Sequence, residues 1–207
     1  MDIANSILVV VIIIFSAIIH EVMHGYVADR LGDPTARYAG RLTLNPIPHI
    51  DLVGSIFLPL LLTLSHSPIF FGYAKPVPYN PYNLRPGRFS EALVSAAGPF
   101  SNLCIALIGG AVLRLDLAGG ASDVVFLIVV VNVMLLLFNL IPIPPLDGAK
   151  VLESILPTRM RYAYANFIAQ MRKNPMMGML IVVLIIYFLG GAWGNLIYSL
   201  AHIITGV

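Results

Sequence analysis

The chain has 207 residues, of which 58% are hydrophobic and only 11% are charged. Soluble domains average roughly 45–50% apolar and about 25% charged residues, so this composition predicts a membrane protein. The formal net charge of +2 is too small to indicate a nucleic-acid partner, and no basic block alternates with aromatic residues. The single cysteine, Cys104, allows no internal disulfide and lies in an apolar stretch, where we expect it to serve packing.

The first predicted element is a membrane helix over residues 3–31, and it carries a metal-binding motif. His20, Glu21 and His24 form the pattern HExxH directly after an almost unbroken apolar run over residues 7–19. On a helix, positions i and i+4 share one face, so both imidazoles can bind one zinc ion while Glu21 acts as a base towards water. Ionisable side chains inside an apolar span cost roughly 2.5–3.5 kcal/mol each unless they pair or bind a ligand. The motif therefore favours a metal site over accidental packing.

The connection after this helix combines stop signals, a strand pattern and a short apolar run. Gly32 and Pro34 end the helix, and residues 41–45 alternate polar and apolar side chains, which is typical of a short strand. The apolar run over residues 52–64 falls in the length range of re-entrant or interfacial segments. The prolines between residues 73 and 87 predict irregular backbone.

Three more stretches are long enough to span about 30 Å of hydrocarbon, and they lie at residues 91–113, 123–141 and 175–193. Together with the first helix, they predict an all-α integral membrane fold of about four transmembrane helices. The re-entrant segment and short membrane-associated strand elements complete this predicted fold. Because no internal repeat or low-complexity tail interrupts it, we expect a single membrane-embedded domain over residues 1–207.

An acidic residue follows a proline-rich break at the end of the third long apolar stretch. Pro142, Pro144 and Pro145 precede Asp147 and Gly148. Prolines interrupt helical hydrogen bonding, and at membrane depth this is tolerated only where the backbone is buried in protein or lines a cavity. The break is a way to present Asp147 as a third metal ligand. The alternative is an interfacial turn with this carboxylate in water, and the HExxH motif, which needs a third ligand, favours the first interpretation.

The two motifs, in this order, resemble the signatures of the site-2 proteases, a family of intramembrane zinc metalloproteases. The second signature, N-x2-P-x4-D-G, is matched by Asn139, Pro142, Asp147 and Gly148. The sequence GPFSN at residues 98–102 is similar to the G-P-x-x-N stretch of the family's middle core helix. Residues 42–46 and 74–78 are similar to those of short bacterial members, which lack added PDZ or CBS domains.

The resemblance implies roles for six residues. It implies that His20, His24 and Asp147 hold one zinc ion per chain, with Glu21 as the general base. It further implies that Asn139 and Asn102 hold the substrate or the developing oxyanion. For a buried amide, the alternative is a hydrogen bond to a neighbouring helix.

The implied activity is hydrolysis of peptide bonds within or near transmembrane segments of membrane-protein substrates, which is regulated intramembrane proteolysis. The expected partners are those segments and the lipid bilayer, with a recruiting membrane protein as a further candidate and no nucleic acid. The alternative from another class is a catalytically inactive zinc-binding membrane scaffold or metal carrier, which would not need Glu21. A membrane zinc protease acting on lipidated C-termini is a second alternative, which shares HExxH but not the second signature.

The distribution of basic residues predicts the orientation, because short cytoplasmic loops collect Lys and Arg. If residues 52–64 re-enter on one side and the N-terminus is outside, all twelve basic residues except Arg114 lie in the cytoplasm. If this segment spans instead, Asp147 falls on the opposite membrane face from the two histidines, and a zinc site cannot close. We therefore expect a protein of a prokaryotic cell membrane whose zinc lies about 10 Å inside the cytoplasmic end of the first helix.

Overall fold

The structure, a computed structural model, describes residues 3–51, 54, 57 and 74–207. Within these ranges the regular elements are helices, and none of the described residues forms a β-strand. The predicted all-α class is thus confirmed, whereas the strand elements are not seen. The predicted re-entrant segment at residues 52–64 lies outside the described residues. The chain divides into two compact units.

The first unit, Met1–Arg85, is built on the 28-residue helix α1, Ile3–Arg30. This helix ends where Gly32 takes a φ of 109°, a left-handed conformation that glycine adopts without steric cost. The N–H of Asp33 then returns to the carbonyl of Ala28 at 2.9 Å, which closes the last turn. The predicted end of the first helix is therefore correct to within one residue.

After the short helix α2, Thr35–Tyr38, residues 41–45 do not form the predicted strand. The hydroxyl of Thr43 accepts from the N–H of Asn45 at 3.1 Å, and the side chain of Asn45 accepts from the N–H of Ile47 at 3.1 Å. Thr and Asn side chains that bind backbone groups two residues away build turns in place of sheet ladders. A 3-10 helix then begins at Ile47. The strand prediction is wrong because side-chain alternation does not show where backbone donors bind.

Residues 74–80 have no regular secondary structure, as the prolines predicted, and they pack against α1. A Cβ atom on Gly25 of α1 would lie 2.6 Å from Cγ1 of Val77, so glycine at this position allows the close approach. A 3-10 helix, Pro81–Asn83, follows, and the side chain of Asn80 accepts from its first free N–H, that of Tyr82, at 3.1 Å. This segment returns the chain to the metal-binding stretch of α1.

The second unit, Pro86–Val207, is a helical bundle whose long helices were predicted from their apolar length. The helices at 91–113 and 123–141 are confirmed to within two residues at each end. The last helix starts where predicted but extends beyond residue 193, and two shorter amphipathic helices precede it. The helices of this unit are α3, Ser90–Arg114; α4, Ser122–Asn139; α5, Gly148–Ile155; α6, Thr158–Lys173; and α7, Pro175–Thr205.

Three helices among the described residues are long and apolar enough to cross a membrane, at Asn5–Arg30, Ser90–Arg114 and Gly119–Asn139. A fourth span exists if the two parts of α7, Met176–Ile185 and Tyr187–Thr205, form one crossing despite a bend of 62°. The prediction of about four transmembrane helices agrees with this count.

The core of the second unit forms where α3, α4 and α7 meet. Its buried side chains are small or β-branched, and glycines bring the helices close together. A Cβ atom on Gly109 would lie 2.8 Å from Cγ2 of Val129, and one on Gly110 would lie 2.6 Å from the carbonyl oxygen of Ile204. Small residues at helix contacts are typical of membrane proteins, since close approach supplies the packing energy. The buried cluster consists of Ala106, Val129, Val133, Ile197 and Ala201.

Candidate metal centre

His20 and His24 lie one turn apart on α1 and point their imidazoles at the same place. Their Nε2 atoms are 3.1 Å apart, and both side chains are less than a tenth exposed. Two nitrogens that each lie about 2.0–2.1 Å from a tetrahedral zinc ion are about 3.3 Å apart. The observed separation therefore suits two ligands of one zinc ion.

Glu21 is the neighbour of the first histidine, and its carboxylate is held by the main chain of a distant segment. Its Oε2 accepts from the backbone N–H of Val77 at 2.9 Å. Sequence reasoning missed this contact, because the donor is a backbone group 56 positions away and leaves no side-chain signature. Glu21 stands in the helical turn between the two histidines, and its role as the general base stays a prediction.

Asp147 follows a series of turns that begins at the end of α4. Within this series the Pro144–Pro145 peptide is cis, and the N–H of Leu146 donates to the carbonyl of Ile143 at 3.0 Å. The next residue, Gly148, starts α5, and a Cβ atom there would lie 2.2 Å from the carbonyl oxygen of Leu140. Only glycine permits this approach, which fixes the position of the adjacent aspartate.

His20 and His24 belong to the first unit, and Asp147 belongs to the second. Asp147 stays the predicted third ligand. Two imidazoles and a carboxylate are a donor set of catalytic zinc sites, in which the fourth position stays open for water or substrate. The histidine pair and the relatives of this chain indicate zinc as the cofactor.

The two predicted substrate-binding asparagines take part in hydrogen bonds within the protein. Asn102 on α3 is fully buried, and its Nδ2 donates to Oδ1 of Asn132 on α4 at 2.9 Å. This bond is the alternative that the sequence left open for a buried amide. Asn139 is half-buried, and its Nδ2 donates to the carbonyl of Leu135 at 3.0 Å. A substrate role stays a prediction for both residues.

A buried carboxylate fastens the segment after Val77 to the end of α1. The side chain of Asp33 accepts from the N–H of Asn80 at 2.6 Å, from Nδ2 of Asn83 at 2.9 Å and from the hydroxyl of Thr35 at 2.5 Å. Burial by itself raises the pKa of Asp33, but these bonds and one from the Thr35 N–H together outweigh it, so the net pKa is lowered. Asp33 is thus an anionic anchor that holds residues 80–83 near the metal-binding helix.

Comparison with known proteins connects these features to a family. Residues 115–186 match the family model described as Peptidase family M50. The chain is 42% identical to "Putative zinc metalloprotease YwhC" of Bacillus subtilis over 162 residues, which cover 73% of this chain and 70% of the relative. No solved structure matches the chain.

Two further relatives carry the name "Putative zinc metalloprotease Rip2". The protein from Mycolicibacterium smegmatis is 32% identical over 156 residues, which cover 73% of this chain and 58% of the relative. The protein from Mycobacterium tuberculosis is 32% identical over 157 residues, which cover 72% of this chain and 58% of the relative. The matched region therefore spans little more than half the length of these mycobacterial proteins.

Proposed function

Because this chain belongs to peptidase family M50, the site-2 protease family, we propose that it is an intramembrane zinc endopeptidase. Its substrates would be transmembrane segments of other membrane proteins, cut within or near the bilayer. The observation that carries the proposal is the pair of His20 and His24, whose Nε2 atoms lie 3.1 Å apart, with Glu21 in the turn between them. The helices that are long and apolar enough to cross a membrane support a membrane location.

We assign His20, His24 and Asp147 as ligands and Glu21 as the general base. When bound, zinc supplies a Lewis acid that polarises the scissile carbonyl and makes water more acidic. Glu21 accepts a proton from the attacking water as the water oxygen bonds to the carbonyl carbon. As the C–N bond breaks, Glu21 passes this proton to the leaving amine. The bond from the Val77 N–H occupies Oε2 and leaves Oε1 to take the proton.

The developing oxyanion needs hydrogen-bond donors, and Asn139 and Asn102 are the proposed ones. Asn139 stands in the last turn of α4, directly before the turns that carry Asp147. Asn102 is bonded to Asn132, so it would meet a substrate only if that pair opens or if a second amide hydrogen is used. Of the two, Asn139 has the stronger support.

We also propose that the metal centre lies near the cytoplasmic side of a prokaryotic membrane. The support is the excess of Lys and Arg in the connections assigned to that side, and the bacterial origin of the relatives. Single cysteines near Tyr79 and Arg161 in a Cys104→Ser background should then react with a membrane-impermeant thiol reagent from the cytoplasmic side only. External reaction at Tyr79 would contradict the orientation.

The experiment that tests the activity compares the wild-type protein with Glu21→Gln, reconstituted in vesicles with a helical transmembrane substrate. We expect cleavage by the wild type, its loss on chelation and its return with zinc. Glu21→Gln should keep about one zinc per chain and lose about 10²–10⁴-fold in rate, the usual contribution of a general base. Full cleavage by Glu21→Gln would exclude this residue as the base.

The competing function, a zinc-binding scaffold or metal carrier, predicts a different result. Zinc would bind equally to the wild type and to Glu21→Gln, and neither protein would cleave any substrate. Loss of zinc together with activity in Glu21→Gln would instead make the carboxylate a structural part of the site.

A further inference from the structure

The carboxylate of Glu21 is held by a peptide bond that is itself held by a buried cation. Oε2 of Glu21 accepts from the N–H of Val77 at 2.9 Å. The carbonyl of the same peptide, that of Pro76, accepts from the guanidinium of Arg41 at 3.3 Å. The guanidinium also donates to the preceding carbonyl, that of Lys75, at 2.7 Å. One peptide group thus links a cation on one side to the catalytic carboxylate on the other.

The burial of Arg41 needs a physical explanation, because the side chain is charged. Arg41 is only 7% exposed, and within the described part of the chain it makes no ion pair. A buried cation is costly unless its donors bind strong acceptors. By contrast, Arg37, four residues earlier, is 64% exposed at its side chain and pairs with Asp29 at the surface. One buried arginine therefore binds two carbonyls of a single segment.

Attachment of that segment does not depend on this arginine. Asp33 binds the N–H of Asn80 and the side chain of Asn83, at 2.6 Å and 2.9 Å. The N–H of Arg85 donates to the carbonyl of Leu31 at 2.8 Å. These contacts already fasten the far end of the segment to the end of α1. The guanidinium adds contacts only at the peptide that touches Glu21 and at the one before it.

We infer that Arg41 is a positioning residue for the general base and acts through the Pro76–Val77 peptide. The guanidinium fixes and polarises the Pro76 carbonyl, which strengthens the Val77 N–H as a donor, since linked hydrogen bonds reinforce one another. The strengthened donor holds Oε2 of Glu21 and leaves Oε1 to exchange the proton. This inference rests on the proposed role of Glu21 as base.

The first test compares Arg41→Ala with Arg41→Lys, using Arg37→Ala as the matched control on the surface. A misplacement of about 1 Å in a catalytic group can cost about 10²-fold in rate. We therefore expect Arg41→Ala to lower kcat by about 10-fold to 10²-fold, with KM within about twofold of wild type and zinc content unchanged. Arg41→Lys should recover part of the rate, because lysine keeps the charge but does not have the planar guanidinium whose Nη2 donates to both carbonyls. Arg37→Ala should keep the wild-type kcat.

A second test addresses the hydrogen bond itself. Val77→Pro removes the donor, whereas Val77→Ala keeps it and loses only packing against Gly25. Val77→Pro should therefore lower kcat far more than Val77→Ala, with zinc bound in both. Hydrogen exchange provides a readout that needs no substrate: exchange of the Val77 amide should accelerate in Glu21→Ala and in Arg41→Ala, but not in Arg37→Ala.

The outcomes separate this inference from the proposed function. If Glu21→Gln abolishes cleavage while Arg41→Ala keeps the wild-type kcat and an unchanged Val77 exchange rate, the positioning role is wrong and the base assignment stands. If Glu21→Gln cleaves normally, the proposed role of Glu21 as the base is wrong, and the positioning role of Arg41 that rests on it is wrong as well. Loss of zinc in Arg41→Ala, with no recovery in Arg41→Lys, would make the arginine a structural residue and overturn the inference.

Discussion

Two pairs of buried polar side chains lie in apolar helices of this chain, and they form different kinds of contact. His20 and His24 stand on one face of α1, with their Nε2 atoms 3.1 Å apart. Asn102 and Asn132 stand on two helices, α3 and α4, and join through an N–H···O bond of 2.9 Å. An amide carries donors and an acceptor, so two amides can satisfy each other. Two imidazole nitrogens that converge on one point suit a cation.

The difference shows that a polar residue in an apolar helix does not by itself mark a functional site. The asparagine pair bridges two helices, and Nδ2 of Asn132 also donates to the carbonyl of Ile128 at 2.8 Å, so both amides take part in hydrogen bonds within the protein. The histidine pair lies on a single helix. Its two converging nitrogens, which suit a cation, are what indicates a metal.

The largest effect is expected when the proposed third ligand, Asp147, is removed. Asp147→Ala removes the only proposed anionic ligand, so zinc affinity should fall and cleavage should be abolished. Metal analysis of the purified protein and the vesicle assay measure the two effects. Asp123→Ala, which changes an exposed aspartate at the start of α4, is the matched control and should behave as wild type.

If Asp147→Ala kept one zinc per chain and full activity, the proposed difference between the histidine pair and the asparagine pair would be wrong. The histidines would then be another buried polar pair, equivalent in kind to the asparagines. Retained zinc with lost cleavage would instead place Asp147 in the chemistry and outside the ligand set.

A smaller effect is expected from Asn139→Ala. Removal of one oxyanion donor typically costs about 10²–10³ in kcat. We expect a fall of about 10²-fold in kcat with zinc content and KM near wild type, because the amide would act on charge that develops only in the transition state. Asn166→Ala, at an exposed position of α6, is the control. A rise in KM at constant kcat would show that Asn139 holds the substrate and not the oxyanion.

The sequence predicted α1, α3 and α4 closely because bilayer thickness dictates how many apolar residues a helix needs. HExxH also indicated that the two histidines share one face of α1, since this follows from helix geometry, whereas the ligand roles of His20, His24 and Asp147 stay a prediction. The strand predicted at residues 41–45 does not form, because Thr43 and Asn45 bind nearby backbone donors. The alternation of polar and apolar side chains carries no information about these bonds.

The contacts of Glu21 could not be predicted for a related reason. The donor is the backbone N–H of Val77, and every residue except proline has such a group. Arg41 was visible as a charge, yet only the fold shows that it is buried against the carbonyls of Lys75 and Pro76. Asn132, by contrast, was a detectable signal, as an amide with apolar residues on both sides of it in α4.

A moderate effect on stability is expected when the asparagine pair is divided. Asn102→Leu leaves the buried amide of Asn132 without this partner, at a cost of about 1–3 kcal/mol in protein interiors and about 0.6 kcal/mol on average in membrane proteins. The double variant Asn102→Leu with Asn132→Leu should recover part of the thermal stability. If the double variant is stable but cleaves poorly with zinc bound, Asn102 contacts substrate. If cleavage recovers with stability, the pair serves packing alone.

The smallest effect concerns Asp33, a buried polar side chain that is satisfied within the protein as the asparagines are. Its pKa is lowered by hydrogen bonds from Thr35, Asn83 and Asn80, which together outweigh the effect of burial. A carboxylate with a depressed folded-state pKa stabilises the fold above its ordinary pKa, and this contribution disappears as the pH falls through the folded-state value. In zinc-free protein, the melting temperature should therefore decrease below about pH 4 less steeply for Asp33→Asn than for wild type. Asp116→Asn, at an exposed loop position, should follow the wild-type curve. Identical curves for Asp33→Asn and wild type would show that the ionised form of Asp33 contributes nothing to folding.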